Sequence, residues 1–314
     1  MNQRLRTVLK THRSDESLKT LNRVYAQTVF EHLLKPLRAD IGADGDITTS
    51  AVLPGPKVAQ ATLIAKQAGT LAGMAELKFF LAGKRAGSVK ILQALDDGVE
   101  VKRGAVLAVL EGNVADILKA ERTVLNFLQH MCGVATLAHK YVQASRKYPV
   151  LVCPTRKTPW GLLDKRACLV AGAGTHRLGL SDAVLVKDTH LDLLRHDFKT
   201  LGQQLKSARK LGRFVEVEVE SVAEARKAAD MLFDLQKSRK IPCFIMLDNM
   251  KPNDIGKFVR ELRSSKLYGK IFVEASGGIN LKNIQQYAKT GVDILSVGAM
   301  THSAPALDIS LKIF

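Results

Sequence analysis

Acidic residues are scarce in this chain: 30 Asp and Glu stand against 47 Lys and Arg, a formal net charge of +17. An excess of that size suits polyanions, either nucleic acid or small molecules carrying several negative charges. Aromatic residues are also few, at 5% with a single Trp. That leaves little for a base-stacking platform, and no RNP, KH, zinc-finger or helix-turn-helix pattern is present. Nucleic-acid binding as the main function is therefore set aside, and basic stretches such as KSARKLGR and QKSRK read as solvated helix faces. The four cysteines, Cys132, Cys153, Cys168 and Cys243, have neither CxxC spacing nor a metal-ligand cluster. Reduced thiols of a cytosolic protein are the plain reading, and they argue against a structural zinc site. Apolar runs are too short to span a bilayer, and the first residues, MNQRLRTVLKTHRSDESLK, are polar and basic. The expectation is a soluble, cytoplasmic protein with no membrane partner.

What the chain does contain is a series of six short apolar runs in its second half: VLVCPTRK, DAVLVKD, FVEVEVE, CFIMLDN, IFVEASGG and DILSVGA. They recur at roughly 25 to 35 residues with helix-compatible sequence between them, the period of βα units and parallel strands. Such a series closes into an α/β barrel, here incomplete at about six strands, whose reactive groups gather where the strands end. Those ends carry Arg156, Lys157, Lys187, Glu218, Asp248, Gly277, Gly278 and Gly298.

The length calls for a second, smaller domain in front of the barrel. The expected division is 1–131 for an N-terminal α/β open sandwich, completed by 302–314, and 132–301 for the barrel. Residues up to about Asp40 read as one helical region, with Leu18, Leu21, Val24, Tyr25 and Thr28 at helical spacing. The segment DGDITTSAVLP reads as a break, ATLIA and VKILQAL as strands, and VKRGAVLAVLEG as a structural hairpin. Asn113 is placed to cap a helix with Ile117, Leu118, Val124, Leu125 and Leu128 along one side and Arg122 at its edge.

Strand periodicity puts Glu216, Glu218 and Glu220 on one face of FVEVEVE and the valines on the other. With the valines under the barrel helices, the carboxylates point inward, and buried carboxylates demand Lys, Arg or a metal in the lumen. In AGAGTHRLGLSDAVLVKDTH, a glycine turn precedes His176 and Arg177 and the next strand delivers Lys187, a pattern that reads as an anion clamp. The small-residue tips EASGG and SVGA let backbone N–H groups approach a phosphate, here at Ser276, Gly277, Gly278 and Gly298.

These motifs occur in one order: GDITT, DGVEVKRG, ERTVLN, TRKT, THRLGLSDAVLVKD, VEVEVE, MLDNM, EASGGI and SVGAMTHS. In that order, across nearly the whole chain, the sequence resembles quinolinate phosphoribosyltransferase, the carboxylating nicotinate-nucleotide pyrophosphorylase family. The resemblance implies an open-sandwich domain joined to an incomplete barrel. It also implies an enzyme that, with Mg2+, turns quinolinate and 5-phosphoribosyl 1-pyrophosphate into nicotinate mononucleotide, pyrophosphate and carbon dioxide in NAD biosynthesis. Carried over by position, the quinolinate clamp falls on Arg122, Arg156, Lys157, His176, Arg177 and Lys187. The acidic pair for metal and ribose falls on Glu218 and Asp248, and the 5′-phosphate cradle on Ser276, Gly277, Gly278 and Gly298. Lys157, Lys187, Glu218 and Asp248 are the implied catalytic set, and a homodimer with shared active sites is the implied assembly. A same-fold enzyme acting on nicotinate or another acid is the alternative. Three departures stand out: TRKTPWGLL is shorter than the family's stretch and has Pro159 and Trp160 in place of its usual pair, Thr189 stands where Asn is usual, and Cys132 where Ser is common.

Overall fold

The computed structural model describes residues 3–53, 55–83 and 85–314. Two compact units share the chain: one is built from Met1–Ser14, Lys140–Lys157 and Ala173–Met300, the other from Asp15–His139, Thr158–Gly172 and Thr301–Phe314. The expected single cut after 131 meets a helix instead, α5 (Val114–Ser145), which runs through that point unbroken. Residues 3–14 go with the barrel strands, and residues 158–172 go with the front unit.

The amino-terminal region is two helices, α1 (Gln3–His12) and α2 (Arg23–Ile41), separated by a short 3-10 turn. Asn22 explains the restart, because its side chain accepts the N–H groups of Val24 and Tyr25. The buried stripe of α2 is Tyr25, Val29, Leu33 and Leu37. Leu21 and Val24, expected on that stripe, are 95% and 68% exposed, since the chain turns before one and the helix starts at the other. DITTSAV is a short helix, α3 (Ile47–Val52), and not a plain break: the Asp46 carboxylate caps it at Thr49 N.

In the front unit, β1 (Val58–Ala65) pairs antiparallel with β5 (Val106–Asn113) and with the C-terminal strand Ile309–Ile313. The other edge is β3 (Lys90–Ala94), which follows helix α4 (Met74–Ala82) in the chain and is antiparallel to β5. The expected VKRGAVLAVLEG hairpin does not form, because β4 (Glu100–Val101) pairs with β2 (Gly69–Thr70) while β5 is taken by its longer neighbours. Helix α5 begins as read, with the Asn113 side chain accepting Ala115 N–H at 2.9 Å.

The other unit holds the six expected strands: β6 (Leu151–Cys153), β7 (Val184–Val186), β8 (Val215–Val219), β9 (Cys243–Asp248), β10 (Ile271–Ser276) and β11 (Ile294–Ser296). They form one parallel sheet in the order β6-β11-β10-β9-β8-β7, the incomplete α/β barrel. Helix α1 packs its Val8 and Leu9 where the strands begin, in one cluster with Leu151, Ala183, Phe214, Phe244, Phe272 and Ile294. Arg4 fixes the helix from its other end: it bonds both oxygens of Asp293, at 2.9 and 2.5 Å, and donates to the carbonyls of Tyr268 and Ile271. The start of the barrel is thus filled by apolar side chains, and polar groups concentrate toward the strand ends.

Candidate active site

A cavity of about 310 Å³ opens at those ends, and every residue lining it comes from the barrel unit. Arg156 and Lys157 enter it after β6, His176 and Arg177 from the following loop, and Lys187 immediately after β7. Opposite them stand Glu218 on β8, Asp248 at the end of β9 and Ser276 at the end of β10. Thr155, Leu185, Met246 and Ser296 also line it and escaped the sequence reading. Strand periodicity contains the signal for two of them, since Leu185 and Met246 each lie two residues before an inward-facing Lys187 or Asp248.

Lys187 Nζ donates to Glu218 Oε2 at 2.6 Å. Burial raises the Glu218 pKa above the ordinary carboxylate value, Lys187 opposes that rise, and the like charge of Asp248 adds to it. Two carboxylates held near each other, one of them paired with a lysine, form a natural seat for a further cation. Of the predicted inward carboxylates, Glu216 and Glu218 face the lumen side, but Glu220 lies beyond the end of β8 and is exposed. The strand has ended by then, so its alternation no longer applies.

On the cationic side, burial first and the like charge of Arg156 second hold the Arg177 guanidinium below its ordinary pKa. Two guanidinium groups that repel each other at a cavity wall are stabilised by an anion between them. The loop carrying Arg177 is braced from behind: Arg213 forms a two-pronged pair with Asp182 at 2.7 and 2.5 Å, and Asp182 accepts Leu178 N–H at 2.7 Å. His176 sits at φ 53 in the left-handed region. Thr175 holds it there by donating its N–H and Oγ1–H to the His12 carbonyl at 2.6 and 3.1 Å. Its ring nitrogens are turned from the cavity: Nδ1 accepts Arg177 N–H at 2.8 Å, and Nε2 faces Glu216 and Glu274 at 3.1 and 3.2 Å. Burial opposes charge on that ring, yet the Glu274 and Glu216 carboxylates raise its pKa to about 9. The Arg177 N–H pulls the other way, because only an unprotonated Nδ1 can accept it.

Gly277 and Gly278 follow Ser276 with φ of 86 and 63. At Gly277 the requirement is strict, because an added Cβ would strike Asn249, whose own N–H is bonded to the Ser276 carbonyl at 3.0 Å. Gly298 follows β11. Arg122 belongs to the other unit: it is exposed on α5 and borders a separate hollow with Phe127 and Trp160. Trp160, one of the departures noted above, stacks on His130 at 3.9 Å between centroids, and Asp164 ties the two by accepting His130 Nε2 and Trp160 N–H at 2.6 and 2.9 Å. Among the described residues no helix is long and apolar enough to cross a membrane.

Comparison with known proteins agrees with this geometry. The family model for the quinolinate phosphoribosyl transferase C-terminal domain matches residues 134–312, and that for the N-terminal domain matches 46–132. A protein of Methanothermobacter thermautotrophicus, named as a probable carboxylating nicotinate-nucleotide pyrophosphorylase, is 36% identical over 88% of this chain and 96% of its own. A decarboxylating quinolinate phosphoribosyltransferase of Nicotiana tabacum is 36% identical over 88% of this chain and 80% of its own. The solved nicotinate-nucleotide pyrophosphorylase of Francisella tularensis superposes with a TM-score of 0.78 at 32% identity, covering 92% of this chain and 96% of that one. With both halves of the chain matched in order and the strand-end cavity in place, this protein belongs to the quinolinate phosphoribosyltransferase family.

Proposed function

We propose that the cavity transfers a phosphoribosyl group from 5-phosphoribosyl 1-pyrophosphate to quinolinate and decarboxylates the product, giving nicotinate mononucleotide, pyrophosphate and CO2 as a step in NAD biosynthesis. The observation that carries this reading is the division of the cavity wall into Arg156, Lys157, Arg177 and Lys187 on one side and Glu218 with Asp248 on the other. A dicarboxylate and a polyphosphate need several cations, and an electron-poor sugar carbon needs anions.

Arg156, Lys157 and Arg177 hold the two carboxylates of quinolinate so that its ring nitrogen meets the anomeric carbon. The new bond forms from the nitrogen lone pair, and the bond from that carbon to pyrophosphate breaks with its electron pair leaving on oxygen. Positive charge builds on the ribose as this happens, and Glu218 and Asp248 stabilise it. The carboxylate beside the nitrogen then leaves as CO2. Its electron pair stays on the ring carbon, stabilised by the pyridinium, and a proton replaces it. Ser276, with the backbone at Gly277, Gly278 and Gly298, receives the 5′-phosphate. His176 acts through position, since its nitrogens serve the loop and the lumen.

Mg2+ suits the mouth: it is a hard cation that takes one or two carboxylates together with substrate phosphates, and the mutual repulsion of Glu218 and Asp248 favours it. When bound, it would balance charge on the departing pyrophosphate. The protein works in the cytoplasm as a homodimer in which Arg122 of one subunit completes the clamp of the other, and nucleic acid plays no part. The test is turnover of quinolinate against nicotinate, each with the sugar donor and Mg2+. The proposal expects consumption of quinolinate only, and nicotinate turning over as fast or faster would overturn the substrate assignment.

A further inference from the structure

Beneath the cavity floor, where the mouth residues end, the barrel lumen holds a second polar cluster of His12, His176, Glu216 and Glu274, with one donor atom from each lying within 4.8 Å of all the others. Glu216 and Glu274 are fully buried, at 0% exposure, and apart from His176 Nε2, at 3.1 and 3.2 Å, their carboxylate oxygens meet no hydrogen-bond donor among the described residues. Arg177 is the adjacent cation: the Glu216 charge acts on it, but no ion pair joins it to either carboxylate among the described residues. Two ionised carboxylates buried together cost several kcal/mol each unless positive charge meets them, and the one ring beside both, His176, can carry at most a single charge.

The proton positions on the two rings decide what can meet them. Thr11 Oγ1 lies 2.8 Å from His12 Nδ1 and within reach of the Thr7 and Val8 carbonyls, at 2.9 and 3.0 Å; with its one proton given to a carbonyl, its oxygen accepts from Nδ1. In that arrangement the proton of a neutral His12 is on Nδ1 and Nε2 presents a lone pair. That pattern, one ring nitrogen tied to an oxygen and the other left as a donor atom, is how metal-binding histidines are oriented. His176 is the opposite case: Nδ1 accepts Arg177 N–H, so Nε2 carries the proton and points it at the Glu216 and Glu274 oxygens.

We propose that this lumen binds a divalent transition-metal ion of the zinc class through His12 Nε2 and the carboxylates of Glu216 and Glu274, with His176 donating a hydrogen bond to a ligating carboxylate. One dipositive ion cancels the two carboxylate charges, and the neutral imidazole completes a three-ligand set of the kind that zinc accepts. Mg2+ and Ca2+ favour six or more oxygens and fit a dry site with an imidazole ligand poorly. Zinc bond lengths bring ligand atoms to roughly 3.3 Å apart, so the side chains must draw in by about 1 Å or more where they now stand furthest apart. The cysteine pattern speaks only to thiolate sites and leaves this one open.

The ion fastens α1 inside the barrel. The same His12 that ligates through its ring holds Thr175 through its carbonyl, so the site connects the amino-terminal helix to the loop bearing His176 and Arg177. This differs from the Mg2+ seat at Glu218 and Asp248 in place, ligand type and expected exchange rate.

The test measures metal content, with no reference to turnover. Wild-type protein is purified without added chelator, dialysed against EDTA and assayed by inductively coupled plasma mass spectrometry. Metal-free protein is then titrated with Co2+ in excess Mg2+ and followed by its visible d–d absorption. The expected result is about one tightly held zinc per chain, and saturation at about one Co2+ that Mg2+ does not displace. His12→Gln and Glu274→Gln should lose the ion, and Glu218→Gln should keep it, with circular dichroism confirming each fold. His12→Cys should restore binding and add a sulfur-to-cobalt charge-transfer band. Folded wild-type protein that neither retains zinc nor develops the Co2+ spectrum overturns the proposal whatever the variants do. So does an ion lost from Glu218→Gln and retained in His12→Gln, which would place it at the mouth.

Discussion

Replacing Lys187 by Met separates catalysis from folding. The lysine side chain is 43% exposed, its partner Glu218 is 9% exposed, and the two meet at 2.6 Å. A fully buried pair broken on one side costs about 3–5 kcal/mol and an exposed pair at most about 1. This pair lies between those limits and is screened on the lysine side, so the expected loss of stability is about 1–2 kcal/mol. Glu218 loses its one lowering influence of any size while burial and Asp248 still raise its pKa, so part of the cost is relieved by protonation. Catalysis should suffer far more, because the clamp has lost a charge and a Glu218 carboxyl pushed further up in pKa is a poorer anion beside a cationic ribose. A fall of about 100-fold or more in kcat/KM is expected. The assay pairs a urea midpoint with turnover of quinolinate at saturating sugar donor. A variant with near-normal turnover refutes the assignment, and one that loses folding and activity together makes Lys187 structural.

Other outcomes follow from the same geometry. Arg4→Met removes both bonds to Asp293 and two carbonyl contacts in a part-buried setting, so it should cost about 2–4 kcal/mol in urea unfolding; a loss below about 0.5 would show that α1 is not fastened there. All four cysteines are buried, and burial pushes the Cys132 and Cys243 thiols up to about 12. A raised thiol pKa keeps the unreactive protonated form, so native protein should stay silent to Ellman's reagent from about pH 7 to 9 and react fully once unfolded; a native thiol titrating below about pH 9 contradicts this. Arg122→Ala and Lys157→Ala subunits, each nearly inactive, should regain up to about a quarter of wild-type activity when mixed and reassociated, since half the random dimers carry one intact site. No recovery after confirmed subunit exchange would place Arg122 outside a shared site.

The barrel was legible because its signal is local and repeated. Each of the six apolar runs became a parallel strand, and each of the first five tips, from Arg156 to Ser276, sent a residue to one cavity. The front of the chain was harder to read because its boundaries depend on single side chains. Asn22 restarts a helix and Asp46 starts another, both through capping bonds that a window of hydrophobic spacing does not register. The fate of β4 depends on competition among partners, which pattern alone does not rank. The lumen cluster lay partly in view, since FVEVEVE announced inward carboxylates that needed an answering charge. His12 was invisible, because nothing in KTHRSD says that an amino-terminal helix would pack against the first residues of strands that begin about 140 residues later.

The central claim is that the strand-end cavity joins quinolinate to the sugar donor and releases its adjacent carboxylate. The most direct measurement uses quinolinate labelled in the carboxyl beside the nitrogen, with 5-phosphoribosyl 1-pyrophosphate and Mg2+, and counts products in one reaction. Labelled CO2, pyrophosphate and nicotinate mononucleotide should appear mole for mole and vanish together in Lys157→Ala. Pyrophosphate released without labelled CO2, or label retained in the nucleotide, would contradict the account.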